Sequence, residues 1–230
     1  APHLALINIM KYFSHPNKEL SVHLENVYNN SRRIAKDISF EDEEIIGELL
    51  RIISFAHDFG KFTKYFQEYL LNNKDTRELR KHGLISALMG YYICKNNPLL
   101  ESYKFLVYEI IKRHHGNLKF VGEELPKKDE IEIIKQQLNT ILPEVYNWYN
   151  SKRIPIEMQN FKLFVDNCKN ELWDRFYLGE DSFELTLDKS KDVKLFLLTN
   201  MLYSILIDSD KLDASEISKT KDYKRKCISD

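Results

Sequence analysis

Little in this sequence would interrupt a helix: of 230 residues only 7 are glycine and 6 are proline. A chain so poor in turn-forming residues is not a turn-dense β protein, nor is it a low-complexity disordered segment. Cysteine is scarce as well, and Cys94, Cys168 and Cys227 are odd in number and widely spaced. They lack the paired spacing of zinc sites and redox motifs, so a reducing cytoplasm is the expected compartment. No apolar run reaches bilayer length, and the opening Ala-Pro-His-Leu-Ala-Leu-Ile has neither the basic segment nor the cleavage site of a secretion signal. No membrane association is expected. A Gly-rich loop of the P-loop kind is missing, so the sequence carries no ATP motor of its own. Net charge is nearly absent too, because 34 basic side chains are balanced by 35 acidic ones. The field of the whole molecule therefore offers no hold on a polyanion, and any nucleic-acid contact must come from a local patch.

What is present is helical. The chain is 43% hydrophobic and 30% charged, with 13 Tyr and 13 Phe, enough for one large all-α domain around an aromatic core. No repeat or linker divides it, so residues 1–230 are read as one domain. The spacing predicts helices over Leu20 to Ile38, from the acids Glu41 to Glu44 through Ala56, over Lys61 to Leu71, Leu84 to Cys94 and Leu100 to Lys112. Gly60 is expected to stop the second helix. The small residues Ser86, Ala87 and Gly90 would let another helix approach closely. From residue 117 to 190 the pattern weakens, with helices near Glu130 to Ile141 and Ile156 to Arg175 and with Pro126, Pro143 and Pro155 as punctuation. Val193 to Ile207 is the last clear helix, ending in Asp208-Ser-Asp210-Lys-Leu-Asp213.

Five of the seven histidines, His23, His57, His82, His114 and His115, fall at helix ends or on inner helical faces. A single buried His is more often a hydrogen-bonded core residue than a ligand. Five together point to a metal, since neutral imidazoles and carboxylates hold divalent transition ions in mixed nitrogen and oxygen sites. The doublets His57-Asp58 and His114-His115 can each aim both side chains into one cavity only where a helix terminates, and both stand where helices are expected to stop.

His23 in His-Leu-Glu-Asn-Val, His57-Asp58-Phe-Gly60-Lys61, His82 with Ser86-Ala87, His114-His115-Gly116 and the acids of Ser209-Asp210-Lys-Leu-Asp213 together resemble a known family. It is the HD superfamily of metal-dependent phosphohydrolases, and within it the stand-alone HD nuclease domain of the type I CRISPR-associated nuclease-helicase. The resemblance covers core motifs at 20–116 and 191–213, with residues 117–190 as a helical insertion. It implies two divalent ions, of Mn, Mg, Ni, Co, Fe or Zn. His23, His57, Asp58 and a late acid, Asp210 or else Asp208, would hold the first. Asp58 would bridge to a second held by His82, His114 and His115, and Lys61 would meet charge that builds on the scissile phosphate.

The resemblance further implies hydrolysis of phosphodiester bonds in single-stranded DNA, or RNA, by endonuclease and 3′ to 5′ exonuclease action in CRISPR interference and antiviral defence. A separate helicase subunit and an RNA-guided CRISPR surveillance complex would be the partners. Lys61, Lys64, Lys112, Arg113 and Lys119 form a candidate basic patch, and Phe62, Tyr65 and Phe66 are candidate stacking platforms, two of which fit a core stripe better. The basic tail Lys219 to Lys226 reads as a solvated terminus. Two other readings use the same residues: an HD phosphohydrolase acting on nucleotides or cyclic dinucleotides, and a non-catalytic module stapled by metal. Because imidazole coordinates only when neutral, activity is expected to fall below about pH 6.

Overall fold

In the computed structural model, residues 12–38, 42–119, 121–177 and 189–215 are described. Glu41, Cys227 and the tail Lys219 to Lys226 lie outside them. Helices α1 (Leu20–Ala35), α2 (Glu43–Ala56), α3 (Lys64–Asn72), α4 (Gly83–Lys95) and α5 (Lys104–Lys112) follow one another, then α6 (Val121–Glu124), α7 (Lys128–Leu138), α8 (Pro143–Ser151), α9 (Met158–Tyr177) and α10 (Lys189–Ala214). The fold is all-α. A two-stranded antiparallel ribbon, β1 (Phe13–His15) and β2 (Lys18–Glu19), precedes α1 and was not foreseen from the sequence.

Local chemistry sets the helix boundaries. Asp42 caps α2, its side chain accepting from the Ile45 amide at 3.1 Å, and Glu43 and Glu44 complement the N-terminal dipole. After Ala56 the chain tightens into a 3-10 turn, Phe59–Phe62, and α3 starts only at Lys64, where the Thr63 side chain accepts from the Phe66 amide. Gly60 is therefore not the helix stop expected of it. It lies inside the turn without the left-handed backbone of a C-cap, and its role is close approach: a Cβ there would come within 2.4 Å of Ile85 Cγ2 and 2.8 Å of His82 Cα. Gly90 acts similarly between α4 and α5, where a Cβ would meet Ile111 Cδ1 at 2.5 Å.

Residues from Leu20 to Leu206 join one hydrophobic core. The stretch after residue 117 completes it. Ile134, Leu138, Tyr149, Phe161 and Leu172 are all buried, Tyr149 donates its hydroxyl to the Phe55 carbonyl at 2.9 Å, and the Gln137 amide donates to the Leu79 and Lys81 carbonyls just before His82. Helix α8 was missed because Pro143 reads as a breaker, yet proline in the first turn loses no hydrogen bond. Helix α10 is longer than expected and carries Asp208, Asp210 and Asp213 within it rather than beyond its end. Its rotation is set by a buried hydroxyl chain, Ser54 to Ser31 at 3.1 Å and Ser31 to Ser209 at 3.0 Å, which ties α2, α1 and α10 together. Among the described residues no helix is long and apolar enough to cross a membrane.

Candidate metal centre

The helix ends converge on Asp58, which is buried in the short link between α2 and the 3-10 turn. Its Oδ2 lies 3.2 Å from His23 Nε2, 3.5 Å from His57 Nε2 and 2.7 Å from Lys61 Nζ. Its Oδ1 lies 3.2 Å from His82 Nε2 and 3.4 Å from His114 Nε2. Asp210 reaches in from α10, with Oδ1 3.4 Å from His23 Nε2. The donor atoms fall into two groups, each close enough to share one ion: His23, His57 and Asp210 on one side, and Asp58, His82, His114 and His115 on the other.

Asp208 is corrected by the structure. It is exposed and belongs to neither group, since two residues along a helix is a rotation of about 200° from Asp210. The expected basic patch is also weaker than its composition suggests: Lys61 is buried against Asp58, while Arg113 and Lys119 both approach Glu124, at 3.6 and 3.8 Å. Phe62 and Phe66 are buried and only Tyr65 is partly open.

The rings are aimed from behind. His57 Nδ1 lies 2.8 Å from the Ser54 carbonyl and His114 Nδ1 lies 2.6 Å from that of Ile111. Both acceptors are among the last carbonyls of helices α2 and α5, which have no intrahelical donor to spare. A carbonyl can only accept, so in the neutral ring Nδ1 carries the hydrogen and the Nε2 lone pair faces the cavity. His23 is oriented differently, through Asp213, whose Oδ2 lies 2.6 Å from its Nδ1. Asp213 is in turn bound by Asn26 Nδ2 at 2.8 Å and by Lys18 Nζ at 2.7 Å. Asp213 was legible in the sequence only as part of a run of acids; its separation of three residues from Asp210, one turn along the same face, was the available signal.

The lone pairs of His57 and His114 thus face the Asp58 carboxylate. Their Nε2 atoms and Oδ1 of Asp58 are buried without a hydrogen-bond partner. One such atom costs about 1–3 kcal/mol, and three around one carboxylate make a poor core but a good cation site. This donor set fits divalent ions with mixed nitrogen and oxygen preference.

The electrostatics agree. Burial alone would raise the Asp58 carboxyl, but Lys61 and the surrounding imidazoles hold it well below the usual carboxylate range, so it is ionised. Burial pushes His57 and His82 down, and partial desolvation against the His114 and His82 rings pushes His115 down to about 3, keeping these rings neutral. His23 is the exception: burial lowers it, but the carboxylates of Asp213 and Asp58 outweigh burial and raise it to about 9.

Residues 20–156, more than half of the chain, match the family model described as the HD domain. The chain belongs to the HD-domain family. The matched span holds six of the seven donors and leaves Asp210 outside it. Members of this family are mostly metal-dependent phosphohydrolases that bind divalent ions, in keeping with the donor set. Among curated proteins, the HD domain is 27% identical over 111 residues to the CRISPR-associated endonuclease Cas3-HD of Pyrococcus furiosus, which covers 47% of this chain and 46% of that protein. The chain thus matches about half the length of that relative. No solved structure matches.

Proposed function

We propose that this HD domain is a metal-dependent nuclease that cleaves phosphodiester bonds in single-stranded DNA, or RNA, as an endonuclease with 3′ to 5′ exonuclease action, in CRISPR interference. The observation that carries the reading is Asp58, a buried carboxylate whose two oxygens face two separate groups of imidazoles. The likeness to a CRISPR-associated endonuclease supports internal cleavage of a nucleic acid and the CRISPR setting. On this reading a separate helicase subunit and an RNA-guided CRISPR surveillance complex are the partners.

In this mechanism His23, His57 and Asp210 would hold one ion and His82, His114 and His115 with Asp58 the other. When bound, divalent ions at these positions supply Lewis acidity to the phosphate and lower the pKa of water. The ionised Asp58 between the two groups would offset the repulsion of cations held there. Lys61, in the turn directly after it, brings a fixed positive charge to the phosphate as charge builds there. His82 is partly open and His115 exposed, whereas His23, His57 and His114 are buried, so a phosphodiester strand enters from the His82 and His115 side.

The test uses purified protein with Mn2+ on circular single-stranded DNA, single-stranded RNA, nucleoside triphosphates and cyclic dinucleotides, alongside Asp58→Ala. Nicking of the circle that the substitution abolishes is the expected result. Hydrolysis of nucleotides alone would move the assignment to the nucleotide phosphohydrolases, and a metal-loaded protein that hydrolyses nothing would make the centre a structural staple.

A further inference from the structure

We infer that His15, outside both donor groups, is a further catalytic residue that hydrogen-bonds the phosphodiester substrate at the rim of the centre. The inference rests on the nuclease reading and adds a substrate contact to it.

His15 sits at the end of β1, and its ring stands edge to face with His23 at 5.9 Å between centroids. It lies in the electrostatic field of Lys61, His23, Asp58 and Asp210, beside both the first donor group and the lysine that faces the phosphate. It belongs to neither set of converging donor atoms, and its side chain is open to solvent. Nδ1 rests 3.2 Å from the hydroxyl of the buried Ser14, and in the tautomer in which that hydroxyl donates to Nδ1 the ring hydrogen sits on Nε2. That leaves Nε2 as the ring nitrogen without a protein partner among the described residues.

The ribbon is built to hold this ring in place. Gln67 of α3 clamps β1 from one side, accepting from the Phe13 amide at 3.0 Å and donating to the Phe13 carbonyl at 2.9 Å, while the same side-chain amide donates to the Lys61 carbonyl at 2.8 Å. One side chain therefore fixes the distance between the ribbon and the turn that carries Asp58 and Lys61. On the other side, Lys18 of β2 binds the Asp213 carboxylate at 2.7 Å, the group that orients His23. A two-stranded ribbon is marginal on its own; here it is pinned at both ends to residues of the metal centre. What it presents between the pins is a partly solvated imidazole at the edge of the cavity, where a phosphate oxygen needs a hydrogen-bond donor.

The experiment compares wild type, His15→Ala and His15→Gln for cleavage of a single-stranded oligonucleotide at saturating Mn2+, with Mn2+ binding followed by calorimetry on the same samples. Expected are a 10- to 100-fold fall in kcat/KM for His15→Ala, Mn2+ stoichiometry and affinity equal to wild type, and partial recovery in His15→Gln, which keeps an N–H donor. Cleavage by His15→Ala at the wild-type rate overturns the inference, as does loss of a bound Mn2+, which would make His15 a ligand. Equal losses in both variants with a lowered melting temperature would make it structural and overturn the inference too. A wild type that binds Mn2+ but cleaves no oligonucleotide overturns the nuclease reading, and this inference with it, whereas an active wild type with an unaffected variant overturns this inference alone.

Discussion

Two glycines thirteen residues apart, Gly47 and Gly60, should respond to the same substitution in opposite directions. At Gly60 an added methyl would lie 2.4 Å from Ile85 Cγ2, 2.7 Å from His82 Cβ and 2.8 Å from His82 Cα. A rotated Ile85 side chain relieves the first contact but not the others, because His82 Cα is backbone at the start of α4. The turn carrying Asp58 must then move away from α4, at about 1–3 kcal/mol by analogy with other overpacked sites. At Gly47, inside α2, nothing lies within 4 Å of the new atom, and replacing a mid-helix glycine by alanine gains about 0.5–1 kcal/mol. Urea denaturation of Gly60→Ala and Gly47→Ala should therefore differ by about 1.5–4 kcal/mol, with wild type between them. Gly60→Ala should also weaken Mn2+ at the His82, His114 and His115 position more than at the other, since the displaced contact is His82 itself. Equal stabilities for the two variants would refute the close-packing role of Gly60.

Other expectations follow from the electrostatics. With His23 raised to about 9 by its two carboxylates, an ion at that position must displace a proton, so Mn2+ affinity should rise up to about tenfold per pH unit from 7 towards 9, with one proton released; calorimetry in buffers of different ionisation heat checks this, and a flat affinity contradicts it. Lys61→Gln should retain both ions while cleavage falls about 10²- to 10³-fold, measured by parallel metal titration and nicking assays. Glu109, buried with its Oε1 accepting the Lys119 amide at 2.7 Å, is raised from 4.5 to about 6, chiefly by burial. Folding therefore favours its protonated form, and its charge lowers stability as pH rises through 6. After allowance for solvent screening, Glu109→Gln should gain about 1 kcal/mol at pH 8 and nothing at pH 4, as read by urea melts at the two values.

Much of this was legible in the sequence for physical reasons. Long amphipathic segments such as α1, α2 and α5 declare themselves by period, and doublets such as His57-Asp58 and His114-His115 signal a site because adjacent ligands need a helix to end. Periodicity could not rank Asp208 against Asp210; the serine chain from Ser54 through Ser31 to Ser209 fixes the rotation of α10, and that chain exists only in three dimensions. The ribbon went unseen because two- and three-residue strands carry no pattern, and with it went His15. The role of Gly60 was misread for a similar reason: a short sequence shows a glycine's freedom but not the neighbour, His82, that it lets in. The expectation that pH dependence centres near 6 treated all five imidazoles alike, whereas the carboxylates behind and before His23 set it apart from the buried neutral rings.

The central claim is that Asp58 joins two cation positions, and anomalous diffraction at the manganese edge from crystals soaked in Mn2+ measures it. The account predicts two peaks roughly 3.5–4 Å apart, one beside His23, His57 and Asp210 and the other beside His82, His114 and His115, with an Asp58 oxygen on each. No peak within reach of Asp58, or a single ion that leaves either group of imidazoles without metal at saturation, would contradict it.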